Sequence, residues 1–113
     1  MAEVLGTFEQ AVLLALVRPS TPLGREAYGR SILKEVQLRL DRDVSAGAVY
    51  ATLDRLEQKG LISSRLGSGT AARAGRPRRF YEIEREGVRA LNEAKAATER
   101  LWDGVRWPLK GTT

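Results

Sequence analysis

The sequence predicts a mostly helical α+β domain, in which three helices are followed by a two-stranded hairpin and one long final helix. Three observations predict it. Apolar residues recur at helical spacing up to Gly60, two short extended segments flank a Gly- and Arg-rich stretch at 67–78, and a stripe at three- and four-residue steps links Val88, Leu91, Lys95, Thr98, Trp102 and Val105. With 113 residues in one such succession, a single compact unit is expected, and so small a core commonly gains stability from a second subunit.

Thr7 and Gln10 stand at capping-box spacing ahead of Val12, Leu13 and Leu16, which places the first helix at 8 to about 18. Ala11, Leu14, Ala15 and Val17 add apolar surface on its other sides, so it should be nearly enclosed. Pro19 and Pro22 end it. A second helix, from about 26 to 40, buries Ile32, Leu33, Val36 and Leu40 before the polar break Asp41-Arg42-Asp43. Ser45 is the N-cap of a third helix at 46–59, which Gly60 closes as a left-handed C-cap. Its inner face is Val49, Leu53 and Leu56; Gly47, Ala51, Asp54, Arg55 and Gln58 lie opposite, flanked by Ala48 and Tyr50.

The hairpin strands are placed at 61–66 and 79–84, with Tyr81 and Ile83 on one face and Phe80 on the other. The last helix is placed at 85 to about 107. So small a domain has nothing left to cover its apolar stripe, which predicts packing against another chain. Residues 110–113 should be a frayed tail. The element order is that of a winged helix-turn-helix at 1–84 carrying a long C-terminal dimerisation helix and tail at 85–113.

Charge narrows the function. The chain carries 19 Lys and Arg against 14 Asp and Glu, a net +5. Five arginines (Arg65, Arg73, Arg76, Arg78, Arg79) and no acid lie between Gly60 and Tyr81, so removing those five leaves fourteen bases against fourteen acids elsewhere. The surplus therefore belongs to the hairpin, as expected of a surface built for a polyanion. With no Cys and no His, disulfides, thiol nucleophiles, common zinc ligands and a group titrating near neutrality are excluded, and neither cofactor nor metal is expected. Gly67-Ser68-Gly69-Thr70 lacks the ending of a phosphate-binding P-loop, and Glu82 and Glu84 have no pocket to make them an acid/base pair, so an enzyme is disfavoured. The longest apolar run is seven residues from Ala11 to Val17, far short of the roughly 20 a membrane span needs. With no basic leader after Met1, a soluble cytoplasmic protein is expected.

A helix entering a major groove needs small residues at the approach and groups that reach phosphates or base edges beside them. Ala48 and Ala51 supply the first; Ser45, Tyr50, Thr52 and Arg55 supply the second. Gly47 disfavours the helix by about 1 kcal/mol relative to Ala, which close approach to a duplex would explain. Arg73, Arg76, Arg78 and Arg79 at the hairpin tip suit phosphates or a minor groove, and Gly75-Arg76-Pro77-Arg78 is the core of an AT-hook without its leading Arg. Double-stranded DNA is thus the expected partner; a ligand-sensing or protein- or RNA-binding module using the same basic hairpin is the alternative. Trp102 and Trp107 fit either a dimer core or a flat cavity for an aromatic ligand.

Phe8-Glu9-Gln10, Ala27-Tyr28-Gly29, the block from Val44 to Leu61 and Gly75-Arg76-Pro77-Arg78-Arg79-Phe80-Tyr81 together resemble the PadR family of bacterial transcriptional regulators, in its short form with a single C-terminal helix. The resemblance implies a winged-helix homodimer that represses from a pseudo-palindromic operator and is loosened by a phenolic or aromatic effector. It implies DNA contacts at Ser45, Tyr50 and Thr52 and at Arg76, Arg78 and Arg79, and it matches Tyr28 to a Tyr near the start of helix two. Glu84 replaces the family's usual capping Thr, leaving that helix end to the dipole's attraction for Glu84 and Glu86. Thr98 stands where drug-binding relatives carry an aromatic, with Trp102 one turn later, so Thr98, Leu101 and Trp102 are the candidate effector residues. A bacterial regulator of this kind would sit on the nucleoid when bound to DNA.

Overall fold

The structure is a computed structural model describing residues 5–18, 27–67 and 77–111. Helix α1 (Thr7–Ala15) is capped by Gly6, not Thr7, and it is Glu9, not Gln10, that reaches back, its Oε1 accepting from the Gly6 amide at 3.1 Å. Its last turn tightens as the amides of Leu16 and Val17 donate to the carbonyls of Leu13 and Leu14, so regular helix stops three residues earlier than periodicity suggests. Ala11, Val12, Leu13 and Ala15 are buried, whereas Val17 stays exposed, so the expected enclosure is incomplete.

The second helix begins three residues later than expected because Ala27–Tyr28 form a short strand, β1. Ala27 pairs with Tyr81 and Tyr28 with Phe80. Helix α2 (Gly29–Leu40) then starts as the Tyr28 amide donates to Ser31 Oγ at 3.0 Å and the Ser31 hydroxyl donates to the Tyr28 carbonyl at 2.9 Å. Asp41 ends it in the left-handed region, at φ 52°, which Asp tolerates better than most side chains. The Gln37 side-chain amide donates to the Val44 carbonyl at 2.9 Å, fixing the turn into the next helix.

Helix α3 (Ala46–Gln58) starts as expected, with Ser45 Oγ accepting from the Ala48 amide at 3.0 Å. At its end the Leu61 amide donates to the Leu56 carbonyl and the Gly60 amide to the Glu57 carbonyl, a Schellman closure in which Gly60 takes φ 78°. That closure uses the Leu61 amide, and β2 (Ile62–Leu66) begins one residue later than expected. It pairs antiparallel with β3 (Arg79–Ile83), which lies at the centre of a three-stranded sheet of order β1-β3-β2.

The inner faces of the three helices meet over this sheet, burying Val12, Leu13, Ile32, Val36, Val49, Leu53, Leu56, Ile62 and Tyr81 in one core. Helix α4 (Arg85–Trp102) touches that core only through its first half. Glu84 makes no side-chain cap bond, so it and Glu86 stabilise this N-terminus through the helix dipole. The helix ends five residues earlier than expected because Asp103 and Gly104 turn the chain, Gly104 at φ 80°, and the Val105 amide donates to the Trp102 carbonyl at 2.9 Å. The molecule measures 59 × 34 × 24 Å with a radius of gyration of 16.5 Å, against about 13 Å for a compact chain of this length. Helix α4 is an arm.

Candidate nucleic-acid interface

The outer face of α3 is open to solvent. Ser45, Gly47, Ala48, Ala51, Asp54 and Arg55 are exposed, and Tyr50 is 46% exposed. Beside the helix's N-terminal half runs a groove of about 510 Å³, floored by Phe8, Val44, Ala48 and Ala51 and rimmed by Arg42, Asp43 and Arg55. Small side chains leave the backbone approachable there, while the cations stand at the edge. Ser45 caps the helix with a lone pair, which leaves its hydroxyl proton to donate.

Thr52 is placed differently from the expectation. Its side chain lies on the inner face one turn from Val49 and Leu56, only 2% exposed, and its hydroxyl accepts from Arg55 Nη2 at 3.2 Å. It lines the groove beside α3 but offers it almost no surface, and its hydroxyl holds the exposed guanidinium of Arg55. The signal was present, since position 52 falls three residues after one buried apolar position and four before another.

Tyr28 is also built into the scaffold. Its ring meets Phe80 edge-on, with centroids 6.2 Å apart, and the Arg78 guanidinium stacks over it at 3.9 Å. Arg65 lies over Phe80 at 4.9 Å. The aromatic pair thus holds two wing cations at the root of the hairpin. Arg79 Nη1 donates to Ser64 Oγ at 2.9 Å, and that hydroxyl donates to Glu57 Oε2 on α3 at 2.8 Å, tying the hairpin strands to α3. Arg73 and Arg76 lie outside the described residues.

The two halves of the face converge on a cleft of about 190 Å³ at the start of α2. Tyr28, Arg30, Tyr50, Arg78, Arg79 and Tyr81 line it. Burial pushes the Tyr81 phenol up from its ordinary value, with Arg79 pulling the other way, so it stays a neutral donor at physiological pH. A Cβ placed on Gly29 would collide with the Tyr50 ring and hydroxyl, so the absence of a side chain there lets the tyrosine lie across the helix start. Composition could not have found Arg30 or Gly29 as members of this cleft; only the third strand brings them to it.

The candidate effector residues are less concentrated. Thr98 lines an apolar groove of about 450 Å³ between α1 and α4, with Leu14, Val17, Val88, Leu91 and Lys95. Leu101, 80% exposed, and Trp102, 43% exposed, lie beyond it at the end of the arm, where Trp107 packs edge-on against Trp102 at 5.4 Å. One chain does not bring the three together around a single cavity. Among the described residues, no three metal-ligating side chains converge and no helix is long and apolar enough to cross a membrane.

Residues 22–93 match the Transcriptional regulator PadR-like family. The chain belongs to this family. A PadR family transcriptional regulator from Eggerthella lenta is 31% identical over 88% of this chain and 79% of its own, with a TM-score of 0.68. A PadR-like transcription factor from Bacteroides fragilis is 26% identical over 88% and 87%, at 0.71. A PadR-like transcriptional regulator from Bacillus cereus covers 95% of both chains at 24% identity and 0.71, a likeness of fold. No curated protein matches. The PadR-like assignment makes the chain a DNA-binding transcriptional regulator and not an enzyme, and the matched segment spans α2, α3, the wing and the first half of α4.

Proposed function

We propose that the protein is a dimeric repressor that reads a pseudo-palindromic DNA operator through α3 and the wing. The observation that carries this reading is the shared cleft, in which Tyr50 of the recognition helix, Arg30 at the start of α2 and Arg78 and Arg79 of the wing line one cationic surface. Ser45, Tyr50 and Arg55 face the major groove, Thr52 and Tyr28 position Arg55 and Arg78, and Arg73, Arg76, Arg78 and Arg79 take phosphates or the minor groove. Residues 1–84 do this work and 85–113 pair two copies, setting half-sites about one helical turn, roughly 34 Å, apart. An aromatic molecule entering between the arms near Thr98, Leu101 and Trp102 would release the operator. The protein acts in the cytoplasm, on the chromosome.

The test is the salt dependence of binding to the DNA upstream of its own gene. Arg76→Ala should weaken binding to every duplex alike and lower the slope of log K against log salt by about 1. An unchanged slope takes this arginine off the DNA, and stronger competition by single-stranded RNA than by duplex would move the function to RNA.

A further inference from the structure

We propose that the cleft at the start of α2 binds a free phosphoryl oxyanion, inorganic phosphate or a small phosphomonoester, and that its occupant keeps DNA off the surface around it. The inference rests on the DNA-binding reading above and adds to it a ligand site on the DNA face, separate from the arm. Three cations line the cleft, Arg30, Arg78 and Arg79, together with the phenols of Tyr28, Tyr50 and Tyr81 and no carboxylate. The carboxylates that act on Tyr81, Asp54 and Glu57, lie on α3 outside the lining, and Glu57 is already held by Ser64. Gly29 and Arg30 bring the positive end of a twelve-residue helix to the same place.

Positive charge alone would describe any patch on this face. Two donors in the lining that lack an acceptor point to a ligand instead. Arg78 Nε is buried and has no hydrogen-bond partner among the described residues. The ring of Tyr28, 3.9 Å away, fixes that guanidinium without giving Nε an acceptor. Tyr81 is only 5% exposed, and its hydroxyl meets no acceptor among the described residues. A phosphoryl group supplies oxygens to both, accepting from a planar guanidinium and from a neutral phenol at once, whereas chloride matches neither the fork nor the spread of donors. At about 190 Å³ the cleft is smaller than the roughly 300 Å³ at which sites for drug-sized ligands begin, so it suits a phosphate or a short phosphomonoester. Tyr81, so little exposed, is open to a small anion that enters the cleft rather than to a rigid duplex laid across it. The same arginines cannot serve both, so the anion and the operator compete.

Non-specific salt effects on DNA binding follow ionic strength, so the test holds ionic strength and pH fixed and changes only the anion. Titrating the full-length protein with inorganic phosphate in place of chloride should show one saturable site per chain by calorimetry, with the amides of Gly29 and Arg30 shifting most in NMR spectra. Tyr81→Phe, which removes only the hydroxyl, and Arg78→Lys, which keeps the charge but not the fork, should each weaken phosphate about tenfold with the circular dichroism unchanged. With phosphate at about ten times its dissociation constant, the wild type should lose about tenfold in operator affinity relative to chloride, and glycerol phosphate should compete in the same way. In both variants, phosphate at that concentration should weaken operator binding little more than chloride does. Phosphate that acts only as chloride does overturns the site and leaves the DNA-binding reading intact. Saturable phosphate binding with operator affinity unchanged overturns the competition. Saturable phosphate binding in a protein that binds no operator supports the site and overturns the reading above.

Discussion

Glycine 29 sets where Tyr50 lies in the cleft at the start of α2. Because a methyl there meets the far end of Tyr50 rather than backbone, Gly29→Ala should move the tyrosine and spare the fold. Operator affinity should fall about tenfold, the loss of about 1.4 kcal/mol expected for one good contact, while the melting temperature shifts by only a few degrees; anisotropy and thermal melts on the same sample check both. Glu9 offers a second check. Partial burial raises its carboxyl, but the Gly6 amide and the Lys59 ammonium, 3.3 Å away, outweigh that and hold it below the ordinary 4.5. A depressed carboxyl stabilises the fold above its unfolded pKa, and that contribution is lost as pH falls through the folded value. Melts of the wild type and Glu9→Gln should therefore differ near neutrality and converge only as the pH falls below that depressed value. At this scale the expected and observed placements agree at some residues and differ at others. Ser45, Tyr50 and Arg55 lie on the expected face; Thr52, expected to reach the duplex, is buried three residues after Val49 and four before Leu56, and Tyr28 holds an arginine through a strand that local pattern could not reveal.

Elements with their own start and stop signals were legible. Helix α3 matches the expected span to within a residue because Ser45 and Gly60 mark its ends chemically. The differences fall partly where tertiary contacts decide and partly where a local turn overrides the apolar stripe. Strand β1 has two residues, too few for any period, and exists because β3 offers it a free edge. The apolar stripe predicts α4 out to about 107, but Asp103 and Gly104 turn the chain after Trp102. Gly87 is another tertiary decision: a Cβ on it would strike the Leu61 carbonyl and Ile83, so α4 can lie this close to the wing base only without one. Gly87→Ala should accordingly destabilise the protein by roughly 1–3 kcal/mol in denaturant melts, despite the gain of about 1 kcal/mol in helix propensity. Equal or higher stability would mean that α4 stands farther from the sheet.

On the scale of the whole molecule, the net +5 is a property of one hairpin mounted on an otherwise neutral scaffold. The scaffold joins that hairpin to α3 through Glu57, Ser64 and Arg79, and carries both on a core to which the arm is attached by half its length. Fold class was legible because periodicity encodes it, and local charge singled out the hairpin. The arrangement of the arm was not, since among the described residues the second half of its apolar side meets no other helix or strand. The central claim, that α3 and the wing form one sequence-reading surface, is tested most directly by the ratio of affinities for the DNA upstream of its own gene and for a scrambled duplex of equal length, at physiological salt. The account predicts a ratio of roughly 10³ or more. A ratio near one, with both affinities in the micromolar range and falling together with salt, would contradict it.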